Sequence, residues 1–152
     1  MRRLIAAFGL LAVCAAILPA CSAAPGSGQA RSAQLPAGQL STTEGLMQAL
    51  RAAGARVKAE ETVTQPFFSM PARLVSIEGE GIQVFQYPDA ASAQAQAALV
   101  SPDGRQVGTS KPRWVSPPHF YKKANLLILY LGEDEKILKL LDSVLGPQFA
   151  GA

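Results

Sequence analysis

The sequence predicts an α+β domain: an antiparallel sheet of about five to six strands with about three helices packed on it. Three observations lead there. Segments of helical and of period-two spacing follow one another as helix, three strands, helix, several strands, helix. Residues 55–63 alternate, with Arg56, Lys58, Glu60 and Thr62 forming a wholly polar set, as in a strand with one wet face. Leu126 to Leu131 is an unbroken apolar run of six residues, which is strand length.

The elements follow in order. Ser41-Thr42-Thr43-Glu44 has the spacing of a capping box, and Leu46, Met47, Leu50 and Ala53 then recur at helical intervals up to Gly54. The first strand is expected over 55–63. A proline-bounded loop, "TQPFFSMP", carries Phe67, Phe68 and Met70. Strands at 72–77 and 82–87 flank Gly79-Glu80, which suits a type II′ hairpin turn because glycine comes first. Asp89 can cap an alanine-rich helix reaching about Val100, and Ser101-Pro102-Asp103-Gly104 has the residues of a type I turn. Short strands are expected at 105–109 and 113–115. "SPPHFY" then leads into a hairpin arm, with 126–131 the most buried strand. Residues 133–145 form an amphipathic helix with Ile137, Leu138, Leu140, Leu141, Val144 and Leu145 on its apolar face. Acidic residues open that helix, and Gly146-Pro147 stops it.

The first 40 residues read differently. Met1-Arg2-Arg3 precedes an apolar run from Leu4 to Leu18, 15 residues long. That is a secretory signal peptide over 1–20, too short for the roughly 20 residues of a membrane-spanning helix. Its end, Leu18-Pro19-Ala20-Cys21, resembles the lipobox of bacterial lipoproteins on Leu18, Ala20 and Cys21. Pro19 stands where that family more often has a small or hydroxyl residue. The resemblance implies cleavage before Cys21, a diacylglycerol on its thiol, and a membrane-anchored, extracytoplasmic location in the cell envelope. Residues 22–40, "SAAPGSGQARSAQLPAGQL", are poor in bulky apolar side chains and broken by proline and glycine, so they read as a tether spanning about 25 Å root-mean-square. A single domain is expected over 41–152. Its pieces "QVFQYPD", "SPDG", "PRWVSPPHFY", "LLILYLG" and "LGPQFAG" resemble a group of small uncharacterised bacterial lipoproteins, which implies an intact domain and a location but no activity.

Processing also changes charge and cysteine counts. The chain has 14 basic and 11 acidic residues. Without Arg2 and Arg3 it has 12 against 11, a net of +1. A nearly neutral domain gives no support for nucleic-acid binding, which needs a basic patch. Cys14 leaves with the signal and Cys21 is capped by lipid, so no thiol remains for a disulfide or a thiolate metal site.

Candidate chemistry is sparse. His119 is the sole histidine, between Pro118 and Phe120. It can be read as a general base or as a packing residue with one hydrogen bond, and packing is the commoner fate. Zinc wants several Cys or His, so no metal site and no cofactor are expected. Glu133, Asp134 and Glu135 lack calcium-loop spacing and fit a helix start. Gly108-Thr109-Ser110-Lys111-Pro112 fails the nucleophile-elbow pattern at its last position. Phe67, Phe68 and Met70, with Trp114 and His119, are the candidate partner-binding residues. The alternative for the phenylalanines is a core plug, with one ring in and one out because neighbours in extended chain point opposite ways. The expected function is therefore a non-catalytic binding or scaffolding role at the envelope, toward another protein or a small ligand. The rivals are a small hydrolase using His119 with Asp89, Asp103 or Asp142, and an inhibitor or assembly factor for another envelope protein.

Overall fold

The computed structural model describes residues 40–152. The signal segment, Cys21 and nearly all of the tether lie outside the described residues. The elements are α1 (Thr43–Ala52), β1 (Val57–Val63), β2 (Ala72–Ile77), β3 (Glu80–Gln86), α2 (Ala90–Ala97), β4 (Pro118–Lys123), β5 (Leu126–Leu131), α3 (Glu135–Leu145) and β6 (Ala150–Gly151). The strands form one antiparallel sheet in the order β1-β2-β3-β5-β4-β6. The fold is α+β, with three helices on a six-stranded sheet among the described residues.

Strand alternation divides the core into two layers. Val75, Ile77, Ile82, Val84, Tyr121, Leu126, Ile128 and Tyr130 face α1 and α3. Ala72, Phe85, Phe120, Leu127 and Leu129 face α2 and the loops around Phe68 and Val107. β5 lies between β3 and β4 with a core layer on each of its faces, so Leu126 through Tyr130 are all buried. That explains an unbroken apolar run where a half-wet strand would alternate.

The helix ends follow hydrogen-bond supply. α1 is capped by Thr42, whose hydroxyl accepts from the Gly45 amide at 3.0 Å, one residue later than the expected Ser41 cap. Thr43 explains the shift: its amide and hydroxyl both donate to Gln86 Oε1, at 2.9 and 3.2 Å, which ties the first helical residue to the end of β3. Asp134 caps α3, accepting from the amides of Lys136 and Ile137. Ile137, Leu141 and Leu145 are buried, while Leu138, Leu140 and Val144 pack partly buried beside them.

Four other expectations are corrected. The β2–β3 turn is Glu78-Gly79, because Ile77 pairs with Glu80. Both turn residues have positive φ (+54° and +102°), the signature of a type I′ turn in place of II′. Arg56 holds the unusual Glu78 conformation, its amide and Nε both donating to the Glu78 carboxylate. α2 ends at Ala97, short of Val100, because Val100 instead bridges Val107. Segments 105–109 and 113–115 are not strands: the first forms only isolated bridges at Val107, to Val100 and to Ser110, and the second forms none among the described residues. Finally, the alternation of β1 breaks. Its register slips between Ala59↔Val75 and Thr62↔Arg73, where Glu60 and Glu61 together oppose Leu74. This β-bulge turns the strand over, so Val57 packs with the α1/α3 layer and Val63 with the other.

The unforeseen β6 closes the β4 edge. Gly151 pairs with His119 at φ +111°, and a Cβ there would strike the Pro118 carbonyl. No other residue type fits that approach.

Candidate functional site

β4 decides which candidate residues meet. Along a strand successive side chains point to opposite faces. Phe120 therefore joins the α2 layer, while His119 and Tyr121 face α3. Phe67, Phe68, Met70 and Trp114 all pack on the Phe120 side. His119 is thereby separated from the other four.

The aromatic set is one connected cluster. Phe68 is buried at 6% exposure, its ring edge-on to Phe85 at 4.7 Å and to Phe120 at 6.4 Å. Phe67 is half-buried, edge-on to Phe68 at 5.2 Å and to Trp114 at 5.5 Å. Trp114 also meets Phe120 at 6.0 Å, and its indole Nε1 donates to the Gly104 carbonyl at 2.8 Å. Phe68 is thus a core residue and Phe67 a shoulder between core and surface. Beside them lies an open cleft of about 460 Å³ lined by Trp114, Ser116, Pro117, Pro118, Asp103 and Arg105. It offers an aromatic ring, prolines and opposite charges, which suits binding by packing with a few polar contacts.

On the other face, His119 is 6% exposed and stacks on its cross-strand neighbour Tyr130 at 6.0 Å. Its Nδ1 lies 2.6 Å from Gln148 Oε1. The Gln148 amide is oriented by its own Nε2, which donates to the Ala152 carbonyl at 2.7 Å. Oε1 can only accept, so Nδ1 is the donor, and the other ring nitrogen is Nε2. That Nε2 is buried and has no partner. His119, Tyr121, Asp142 and Gln148 line a cavity of about 210 Å³ between β4 and α3. Burial pushes the Tyr121 phenol above its ordinary range, and the negative charge of Asp142, to which the hydroxyl donates, pushes it further.

Of the three carboxylates considered as partners for His119, only Asp142 reaches its cavity. Asp89 caps α2, accepting from the Ser92 amide at 2.7 Å. Asp103 accepts from the Ser101 hydroxyl at 2.6 Å and the Arg105 amide at 3.1 Å. These hydrogen bonds, first of all from the Ser92 amide and the Ser101 hydroxyl, hold both carboxyls below the usual range. Among the described residues, no group of three or more His, Cys, Asp or Glu is assembled that could hold a metal ion.

No family model, curated protein or solved structure matches the chain. The function must therefore be read from these two clefts and from the N-terminal motif.

Tyr121 and Gln148 were not singled out from the sequence. Tyr121 follows His119 by two residues on a strand, so the period-two rule could have placed it beside the imidazole. Gln148 carries no local signal, because its contact depends on β6.

Proposed function

We propose that the chain is a lipid-anchored cell-envelope protein, held to the extracytoplasmic face of a membrane through Cys21, whose folded domain binds a partner and does not catalyse. The partner is another envelope protein or a small ligand. The single observation that carries the binding reading is the placement of the sole histidine. His119 is buried, stacked and hydrogen-bonded by Nδ1, whereas the open cleft beside Trp114 is built from ring, proline and charge and does not include the histidine. The anchor reading rests on the Leu18–Cys21 motif behind a short apolar leader.

A second reading, a small hydrolase, is favoured by one observation: His119, Tyr121 and Asp142 line the same cavity. Complementation of a deletion strain separates the two. Under the binding reading Cys21→Ser loses the cellular role while His119→Asn retains it, with a melting curve to confirm that the domain still folds. Loss of the role in His119→Asn at full stability, with Cys21→Ser active, refutes the binding reading and supports the enzyme.

A further inference from the structure

The loop 111–116 presents an alternation outside any strand. Lys111, Arg113 and Val115 are exposed, while Pro112, Trp114 and Ser116 are half-buried. Val115 is 89% exposed, against 41% for Leu99 and 39% for Phe149, the other exposed large hydrophobics among the described residues. A single exposed apolar side chain is common on protein surfaces, and what marks this one is the charge beside it. Trp114 keeps Val115 from folding inward. Its hydrogen bond to Gly104 and its ring contacts with Phe67 and Phe120 pin the even-numbered side to the domain, which points the odd-numbered side out.

Charge accompanies the apolar tip. Arg105 and Lys111 line one open cavity of about 340 Å³. Arg105 has Asp103 at 3.8 Å, while Lys111 and Arg113 have no ion-pair partner among the described residues. The surface is therefore an outward valine beside three cations and a single carboxylate.

We propose that this surface docks on an anionic phospholipid bilayer, with Val115 entering the interface and Lys111, Arg113 and Arg105 meeting headgroup phosphates. A bilayer interface supplies both requirements at once, fixed negative charge above and an apolar medium just beneath. A nucleic acid would satisfy the cations and leave Val115 in water. The docking involves the folded domain alone and stands apart from the lipid on Cys21.

Trp114 makes the test local, because it is the only tryptophan in the chain. The chain bearing Cys21→Ser, which can carry no thiol-linked lipid, is titrated with vesicles of phosphatidylcholine alone and with vesicles containing phosphatidylglycerol. Docking is expected to shift Trp114 emission to shorter wavelength with the anionic vesicles only, and 0.5 M salt is expected to reverse it. Lys111→Gln with Arg113→Gln is expected to weaken binding about twenty-five-fold, about fivefold per cation. Val115→Ser is expected to weaken it about tenfold. All three positions are exposed, so unchanged melting temperatures show that the fold is intact. Equal binding to neutral and anionic vesicles, unmoved Trp114 emission, or variants that bind like the parent overturn the proposal. Binding to an acidic protein with no response to vesicles overturns it too and assigns the patch to a protein partner. None of these outcomes bears on whether Cys21 is lipidated.

Discussion

Phe67 and Phe68 are neighbours in one cluster with different burial, and substituting each in turn tests how this core is built. Phe68→Ala removes a ring that is 6% exposed and lies edge-on to Phe85 and Phe120. Buried aromatic truncations cost about 3 to 5 kcal/mol, from lost transfer energy and the cavity left behind. Phe85 and Phe120 belong to the sheet, so they cannot collapse into the gap, which favours the upper half of that range. Phe67→Ala removes a half-buried ring whose contacts are Phe68 and Trp114, and should cost about 1 to 2 kcal/mol. A domain of this size has about 5 to 15 kcal/mol in all, so Phe68→Ala stays folded but is visibly weakened. Urea unfolding followed by Trp114 fluorescence reads both. With a slope of about 1.5 kcal/mol per molar, the Phe68→Ala midpoint falls by about 2 to 3 M and the Phe67→Ala midpoint by about 1 M. A near-neutral Phe68→Ala, or a larger loss at Phe67, would refute the layered core described above.

The parts of the fold legible in the sequence are those whose signal is local and apolar. The faces of α1 and α3 repeat at helical spacing, and the β5 run is long enough and pure enough to mark a strand buried on both faces. The missed features lacked such a signal. Ser41, Thr42 and Thr43 offer three similar hydroxyls, and the choice among them was made by Gln86, more than forty residues away. The β1 bulge falls at Glu60-Glu61, two polar residues whose exchange of faces leaves no trace in hydropathy. β6 is Ala150-Gly151, too short for any periodicity, and is defined by its pairing with His119 and Phe120. The candidate site was legible in the same partial way. Adjacent Phe67 and Phe68 imply one ring in and one out, whereas both rings pack in one cluster, Phe67 half-buried, and Trp114 joins them only through the tertiary fold. His119 and Phe120 are likewise adjacent, and strand alternation alone separates their surroundings.

Three further outcomes are expected. A chain running from Leu40 to Ala152 should fold alone, with thermal unfolding identical with and without reductant; an unfolded product would show that the preceding residues contribute to the core. Gly151→Ala should detach β6, because its Cβ would meet the Pro118 carbonyl, and amide hydrogen exchange at Ala152, which donates to Pro118, should accelerate selectively. Burial pushes the Tyr87 phenol up from 10.0 to about 12. The folded state therefore keeps this proton after the unfolded chain has lost it, so the stabilisation is whole below pH 10 and is lost as pH rises toward 12. Urea midpoints should fall across that window, and by less in Tyr87→Phe.

The anchor is tested most directly by the intact mass of the protein purified from its native envelope. The expected mass is that of a chain beginning at Cys21 and carrying a diacylglycerol on its thiol. An unmodified Cys21 at the N-terminus, or a chain beginning after Ala24, would contradict the proposal that this domain is held to a membrane by lipid.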